Sequence, residues 1–139
     1  MLNANPSEAL LTTLGLLHFL QLPCTSILAR GTLKLTRELR LLSPVNQRVV
    51  LIFVGAVAFM LMGLGALIVW RSHAFATSAL GHWLCVFLAT FWSTRALAQL
   101  WLWQVWPEGR QARAWYWGLL SLYFGLAGGY WLVTGASGL

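Results

Sequence analysis

The chain has 139 residues, of which 59% are hydrophobic and only 9% are charged, and its formal net charge is +6. Soluble domains carry about 25% charged residues, and so few charges cannot cover the apolar surface of a soluble fold of this size. The composition therefore excludes an ordinary soluble domain, a disordered chain and, with two cysteines, a disulfide-rich secreted domain. It indicates a membrane protein.

Four apolar segments are long enough to cross a bilayer, because a helix needs about 20 apolar residues to span the hydrocarbon core. Strand-like alternation is absent from the sequence. We therefore predict an all-α membrane protein, an up-and-down four-transmembrane-helix bundle that forms one integral membrane domain over residues 1–139. The predicted spans cover about residues 8–29, 48–70, 79–106 and 114–134.

The nine Lys and Arg residues are distributed unevenly. Seven lie in or beside the loops 30–47 and 107–113, Arg71 lies on the opposite side, and Arg95 lies inside the third span. By the positive-inside rule both basic loops are cytoplasmic and both termini are non-cytoplasmic. This predicts a multi-pass protein of the bacterial inner membrane.

The first basic loop alternates cations with leucines. Lys34, Arg37 and Arg40 alternate with Leu35, Leu39 and Leu42, which predicts a short amphipathic helix on the membrane surface. Its cations would contact anionic lipids at the cytoplasmic face, which accounts for the positive charge without a nucleic-acid partner. A solvated extension of the first span is the alternative.

Several polar residues lie inside the predicted spans, where they are costly and therefore candidates for function. The rise of a helix places Gln21, Thr25, Arg95, Ser121 and Tyr123 near one level, with His18 above and Gln99 below. The predicted ligand-binding residues are Arg95, Gln99, His18, Gln21, Thr25 and Tyr123.

Arg95 is the most informative of them because no span contains Asp or Glu. It could reach the interface as a snorkelling side chain, bond to carbonyl groups, or pair with Glu38 from the loop. Alternatively it faces the bundle and binds an anionic or carbonyl-bearing ligand, such as a lipid phosphate, a carboxylate or a quinone.

Cofactor and catalytic signals are weak in this sequence. His18 and His82 lie at different depths and so cannot both ligate one haem, which disfavours haem. A neutral His18 bonded to Gln21 or to a backbone carbonyl is the favoured interpretation. We find no nucleophile–base pair, phosphate loop or metal-ligand spacing, so we expect no metal, no catalytic residues and a protein that is not an enzyme.

Small residues recur in the fourth span. Ser121, Gly125 and Gly129 follow at four-residue spacing, which lets two helices approach closely. Packing within the bundle is the first interpretation, and docking of another membrane protein or a second copy of the chain is the alternative.

Three short motifs carry a resemblance to other proteins. They are Leu17-His18-Phe19, Leu42-Ser43-Pro44 followed by Arg48, and Phe91-Trp92 with Arg95 and Gln99. With these motifs the chain resembles a group of small, uncharacterised four-transmembrane-helix bacterial membrane proteins. The resemblance implies the four-span fold and draws attention to His18, Arg95 and Gln99, but it implies no activity.

Taken together, these features predict a non-catalytic accessory or scaffold subunit that binds a lipid or quinone-like ligand among the intramembrane Arg, Gln and His residues. One alternative is a small transporter or channel for an anion or a neutral solute. Another is a membrane redox subunit.

Overall fold

The computed structural model describes residues 6–31 and 34–136, with the backbone alone for residues 30, 31, 35 and 36. All regular structure in this part of the chain is helical, which confirms the all-α prediction there. A 3-10 turn, Trp103–Val105, follows the fifth helix. The helices are α1 (Pro6–Gly31), α2 (Leu35–Leu39), α3 (Pro44–Trp70), α4 (Ser72–Thr77), α5 (Ala79–Leu102) and α6 (Arg110–Ala136).

Three of the described helices are long and apolar enough to cross a membrane. They are Pro6–Ala29 within α1, α3 with a mean hydropathy of 2.6, and α6. These helices indicate a membrane protein. The 24 residues of α5 also have sufficient length, but this helix, which contains His82, Arg95 and Gln99, is not one of the three.

Two helices begin with a serine whose side chain caps the first turn. The Ser43 hydroxyl accepts a hydrogen bond from the Asn46 N–H at 3.3 Å, and Pro44 occupies the first position of α3. The Ser78 hydroxyl accepts from the Gly81 N–H at 3.0 Å at the start of α5. These caps satisfy N–H groups that have no partner within their own helix.

The second basic loop is shorter than predicted. Helix α6 begins at Arg110, so Arg110 and Arg113 belong to its first turn rather than to the loop 107–113. The chain reaches this helix through Gly109, whose φ of 123° is a conformation that glycine adopts without a steric penalty. The cations nevertheless remain at the end of the helices where the sequence predicts them.

The predicted surface helix is also short. It comprises only the five residues of α2, and Leu42 lies beyond it in a turn. A longer helix cannot continue into α3 because Pro44 holds Ser43 in an extended conformation, with ψ at 151°. Residues 32 and 33 and the side chains of Arg30 and Leu35 lie outside the described part of this loop.

The long helices pack in the lateral order α3, α1, α6, α5, and neighbours run antiparallel. Close approaches fix two of these contacts: Gly15 of α1 lies against Gly65 of α3, and Leu14 of α1 lies against Gly129 of α6. Between α5 and α6, the Trp131 indole N–H donates to the Ser93 hydroxyl at 3.3 Å. As a result α3 packs mainly on α1, and a cleft separates it from α5 and α6.

The three small residues predicted to form one packing face of α6 differ in their surroundings. Gly129 is buried against Leu14, so it serves packing within the protein. Gly125 has open space where a side chain would be, and Ser121 is exposed. Only one of the three predicted packing residues therefore packs inside the described chain, because the four-residue spacing rotates the set by about 40° at each step.

Candidate functional site

The cleft between α3 and the α5–α6 pair contains a cavity of about 850 Å³. It lies at the end of the helices that carries α2 and the start of α6. Aliphatic side chains of α3 form much of its wall, and none of its lining residues is Asp or Glu. The polar lining residues come from α1, α5 and α6, from the first turn of α3 and from the segment after α2: Gln21, Thr25, Ser26, Arg40, Gln47, Arg95, Gln99 and Tyr123.

Arg95 is half-buried and faces Tyr123 and the cavity. Its guanidinium carbon lies 4.7 Å from the centroid of the Tyr123 ring, which is a cation–π contact. One guanidinium N–H donates to the Gln99 side-chain oxygen at 3.4 Å, a long and therefore weak hydrogen bond. The Tyr123 hydroxyl lies near the side chains of both Arg95 and Gln21. These contacts orient the cation without neutralising it.

Two amide groups beside Arg95 are buried without complete hydrogen bonding. Gln99 is fully buried and Gln21 is 6% exposed. The Nε2 atom of Gln99 and the Oε1 atom of Gln21 have no hydrogen-bond partner. An unsatisfied buried polar group costs about 1–3 kcal/mol. The cavity thus presents one free donor and one free acceptor next to a cation.

No carboxylate among the described residues pairs with Arg95. Glu38 is exposed on α2 and forms no ion pair there, so the alternative in which it folds back onto Arg95 is wrong for this structure. Among the described residues, an ion pair joins His73 and Glu8 at the opposite end of the helices. Within the described residues, Arg95 is contacted by an amide oxygen and an aromatic ring but by no opposite charge.

Thr25 lines the cavity, but its hydroxyl is already used. Its Oγ1 donates to the carbonyl oxygens of Gln21 and Leu22, both at 3.0 Å. Ser121, which the depth estimate placed in the same polar layer, faces away from the cavity and is exposed. The structure thus brings Thr25 to the cavity but not Ser121, which lies on another face of its helix.

His18 lies next to the site rather than in it. This side chain is fully buried, does not line the cavity, and hydrogen-bonds through Nδ1 to the Leu14 carbonyl at 2.8 Å. Its ring packs edge-on against Trp92 and Tyr130, with centroids 5.4 Å and 6.1 Å away. A backbone carbonyl is one of the two partners that the sequence favoured for His18, the other being Gln21. Because a carbonyl only accepts, Nδ1 carries the proton and Nε2 is a free acceptor.

No group of three His, Cys, Asp or Glu side chains that could hold a metal ion occurs within residues 6–31 and 34–136. Cys24 and Cys85 are both free thiols there. Cys85 is fully buried in the core and makes no contribution to the cavity lining.

Arg40, in the cavity wall, and Trp92, beside the cavity, were not assigned to the site from sequence. Arg40 follows α2 and lines the cavity, although its spacing with leucines indicated only a surface role. Trp92 stacks on Tyr123 with ring centroids 5.6 Å apart and an interplanar angle of 21°. Its position one turn before Arg95, on the same helix face, was the signal that could have identified it.

Comparisons of the chain with protein families, with curated proteins and with solved structures gave no match. The resemblance to small four-transmembrane-helix bacterial proteins therefore stays a prediction.

Proposed function

We propose that the chain is a four-span protein of the bacterial inner membrane that binds a lipid or quinone-like ligand in the Arg95 cavity. In this proposal it is a non-catalytic accessory or scaffold subunit. The observation that carries the proposal is the unneutralised Arg95 beside two buried and incompletely bonded amides, Gln21 and Gln99, in one large cavity. Such an arrangement suits a ligand with an anionic or carbonyl oxygen.

The fourth span in this proposal is α5. Its C-terminal half and the segment that follows it run antiparallel to α6: the Trp131 indole N–H donates to the Ser93 hydroxyl at 3.3 Å, and the Trp106 indole N–H donates to the Ala112 carbonyl at 2.8 Å. A helix that packs in this way along a membrane-spanning helix would span the membrane as well. Arg95 would then lie within the bilayer, which tolerates an ionisable residue at such depth when it faces a cavity or protein.

The orientation in the proposal follows the cations. Lys34, Arg37 and Arg40 lie with Arg110 and Arg113 at one end of the helices, and Arg71 lies at the other. The positive-inside rule assigns the first end to the cytoplasm and both termini to the outside. The Arg95 cavity would then open in the cytoplasmic half of the membrane, beside anionic lipids.

The accessory role would use the outer face of α6. Gly118, Gly125 and Gly128 are exposed there with open space around their Cα atoms. Small residues on a lipid-facing surface allow another helix to approach closely. A membrane-protein partner or a second copy of the chain would pack on this face.

The test is ligand retention by the purified protein. The full chain is isolated in a mild detergent, and bound molecules are identified by native mass spectrometry and by organic extraction. We expect a retained lipid or quinone at about one per chain, and we expect its loss in Arg95→Ala. Arg71→Ala is the matched control, because it removes a cation at the opposite end of the helices and leaves the cavity intact.

Equal retention by Arg95→Ala and the unmodified protein would overturn the cavity proposal. Solute-specific flux in liposomes, lost in the same variant, would favour the transporter or channel alternative instead. A visible absorption band from a bound cofactor would favour a redox subunit.

A further inference from the structure

A second cation distinguishes this cavity from a site for a neutral molecule. Arg40 lines it from the segment after α2, and Arg95 lines it from α5. With no Asp or Glu in its lining, the cavity holds two positive charges that the protein does not balance. Arg95 is half-buried, where a charge with no opposite charge nearby is costly, so a ligand that supplies negative charge is favoured.

The hydrogen-bonding groups of the cavity further restrict the chemical class of the ligand. Arg95 and the Gln99 Nε2 atom are donors, whereas the Gln21 Oε1 atom is an acceptor with no partner. A phosphate diester would use the donors but leave Gln21 unsatisfied. A headgroup that carries a hydroxyl next to its phosphate would use all three groups.

The shape of the cavity suits acyl chains. Its α3 wall is aliphatic, with Leu51, Val54, Val57 and Leu61 facing the space. Because α3 packs mainly on α1, this wall continues into the large exposed apolar surface of α3. A ligand could therefore keep its headgroup between the helices and its chains in the surrounding hydrocarbon.

Resting on the proposed function, we infer that the ligand is an anionic phospholipid with a hydroxyl-bearing headgroup. Its phosphate lies between Arg40 and Arg95, its hydroxyl donates to Gln21, and its chains follow α3. A quinone is neutral and leaves the second cation without a role. A free anion would leave the aliphatic wall of the cavity without a role.

Native mass spectrometry with added lipids tests this inference. The full chain in mild detergent is titrated with phosphatidylglycerol, with phosphatidylcholine of the same acyl chains, and with an isoprenoid quinone. We expect a preference for phosphatidylglycerol over phosphatidylcholine of about tenfold, equivalent to the loss of one well-formed charged hydrogen bond. Arg40→Gln and Arg95→Gln should each remove this preference.

Arg37→Gln is the matched control, because Arg37 lies on α2 but does not line the cavity. It should keep the preference for phosphatidylglycerol. Thermal unfolding in detergent confirms that each variant is folded, and Arg40→Gln, at an exposed position outside the long helices, keeps the test valid if Arg95→Gln does not fold.

The outcomes separate this inference from the proposed function. Arg95-dependent retention of the quinone in preference to phosphatidylglycerol would overturn the lipid class and leave the cavity proposal standing. Displacement of phosphatidylglycerol by millimolar inorganic phosphate would identify a free-anion site and overturn the inference. Loss of the preference in Arg37→Gln, or its persistence in Arg40→Gln, would overturn the two-cation headgroup site. Arg95-independent retention of every probe would overturn both.

Discussion

The guanidinium of Arg95 lies over the ring of Tyr123, with 4.7 Å between the guanidinium carbon and the ring centroid. Trp92, three residues earlier on α5, stacks with the same ring. Through the Tyr123 ring, α6 therefore contacts both the Arg95 guanidinium and the Trp92 side chain of α5. The position of Arg95 in the cavity thus depends on α6 as well as on its own helix.

Tyr123→Phe should weaken ligand binding without unfolding the protein. The variant keeps the aromatic ring under Arg95 and beside Trp92 but removes the hydroxyl near Gln21 and Arg95. We expect retention of the cavity ligand to fall by about fivefold to tenfold, which corresponds to the loss of one ordinary hydrogen bond. Native mass spectrometry against Tyr130→Phe, whose ring lies outside the cavity, measures the effect. Equal retention in the two variants would show that the Tyr123 hydroxyl has no part in binding.

Tyr130→Phe should leave stability unchanged or raise it by up to about 1 kcal/mol, because it removes an unsatisfied buried hydroxyl. The Tyr130 hydroxyl has no hydrogen-bond partner, and the same is true of the nearby His18 Nε2 and Trp92 Nε1 atoms. Thermal unfolding in detergent is the measurement. A marked loss of stability would instead reveal a bonded hydroxyl, as a buried water molecule shared with His18 and Trp92 would provide.

Gly65→Ala should destabilise the contact between α1 and α3. A Cβ atom at Gly65 would lie 2.9 Å from the Gly15 carbonyl oxygen and 2.9 Å from the His18 Cβ. The helices would have to separate, and we expect a cost of about 1–3 kcal/mol. Gly63→Ala on the same helix is the control, since a Cβ there meets nothing within 4 Å. Similar melting temperatures for the two variants would contradict the close approach of α1 and α3.

Cysteine labelling from the two sides of sealed vesicles should place both basic segments together. In a background without Cys24 and Cys85, cysteines introduced at Arg37 and Arg110 should react with an impermeant reagent from one side, and a cysteine at His73 from the other. His73 is exposed in the segment between α3 and α5, which suits it to this test. Labelling of positions 73 and 110 from the same side would show that α5 does not cross.

The ion pair between Glu8 and His73 should contribute little to stability. Its His73 Nδ1 and Glu8 Oε1 atoms are 2.8 Å apart, but the His73 side chain is 76% exposed. Exposed pairs contribute about 0–1 kcal/mol because water screens the charges. We expect Glu8→Gln and His73→Gln each to shift unfolding only slightly. A double-mutant cycle with a coupling energy well above that range would show that the pair anchors α4 to α1.

Much of the site's composition was readable from the sequence. Gln21, Thr25, Arg95, Gln99 and Tyr123 all line one cavity, as their depths along the helices predicted. The depth of a residue follows from the fixed rise per residue of a helix. It can therefore be estimated from each helix separately. The caps at Ser43 and Ser78 were equally readable, because a cap is a contact between residues three apart.

Other features required the assembled helices. Arg40 enters the cavity, His18 is enclosed by Trp92 and Tyr130, and Ser121 faces outward. Each outcome depends on how a helix is rotated about its own axis. That rotation is set by close contacts between helices, such as Gly15 against Gly65. The sequence gives no signal for this rotation. The helices are only weakly amphipathic, because an apolar side chain can face either the protein core or the lipid.

The amino-acid sequence by itself determined the helical class and the polar residues at each depth, because both depend on local composition and on a constant helical rise. Tertiary structure alone decided that α3 stands apart from α5 and α6, and that Arg40 and Arg95 line the space between them. The lateral order of helices is chosen by packing between segments distant in sequence, and no single helix contains that information.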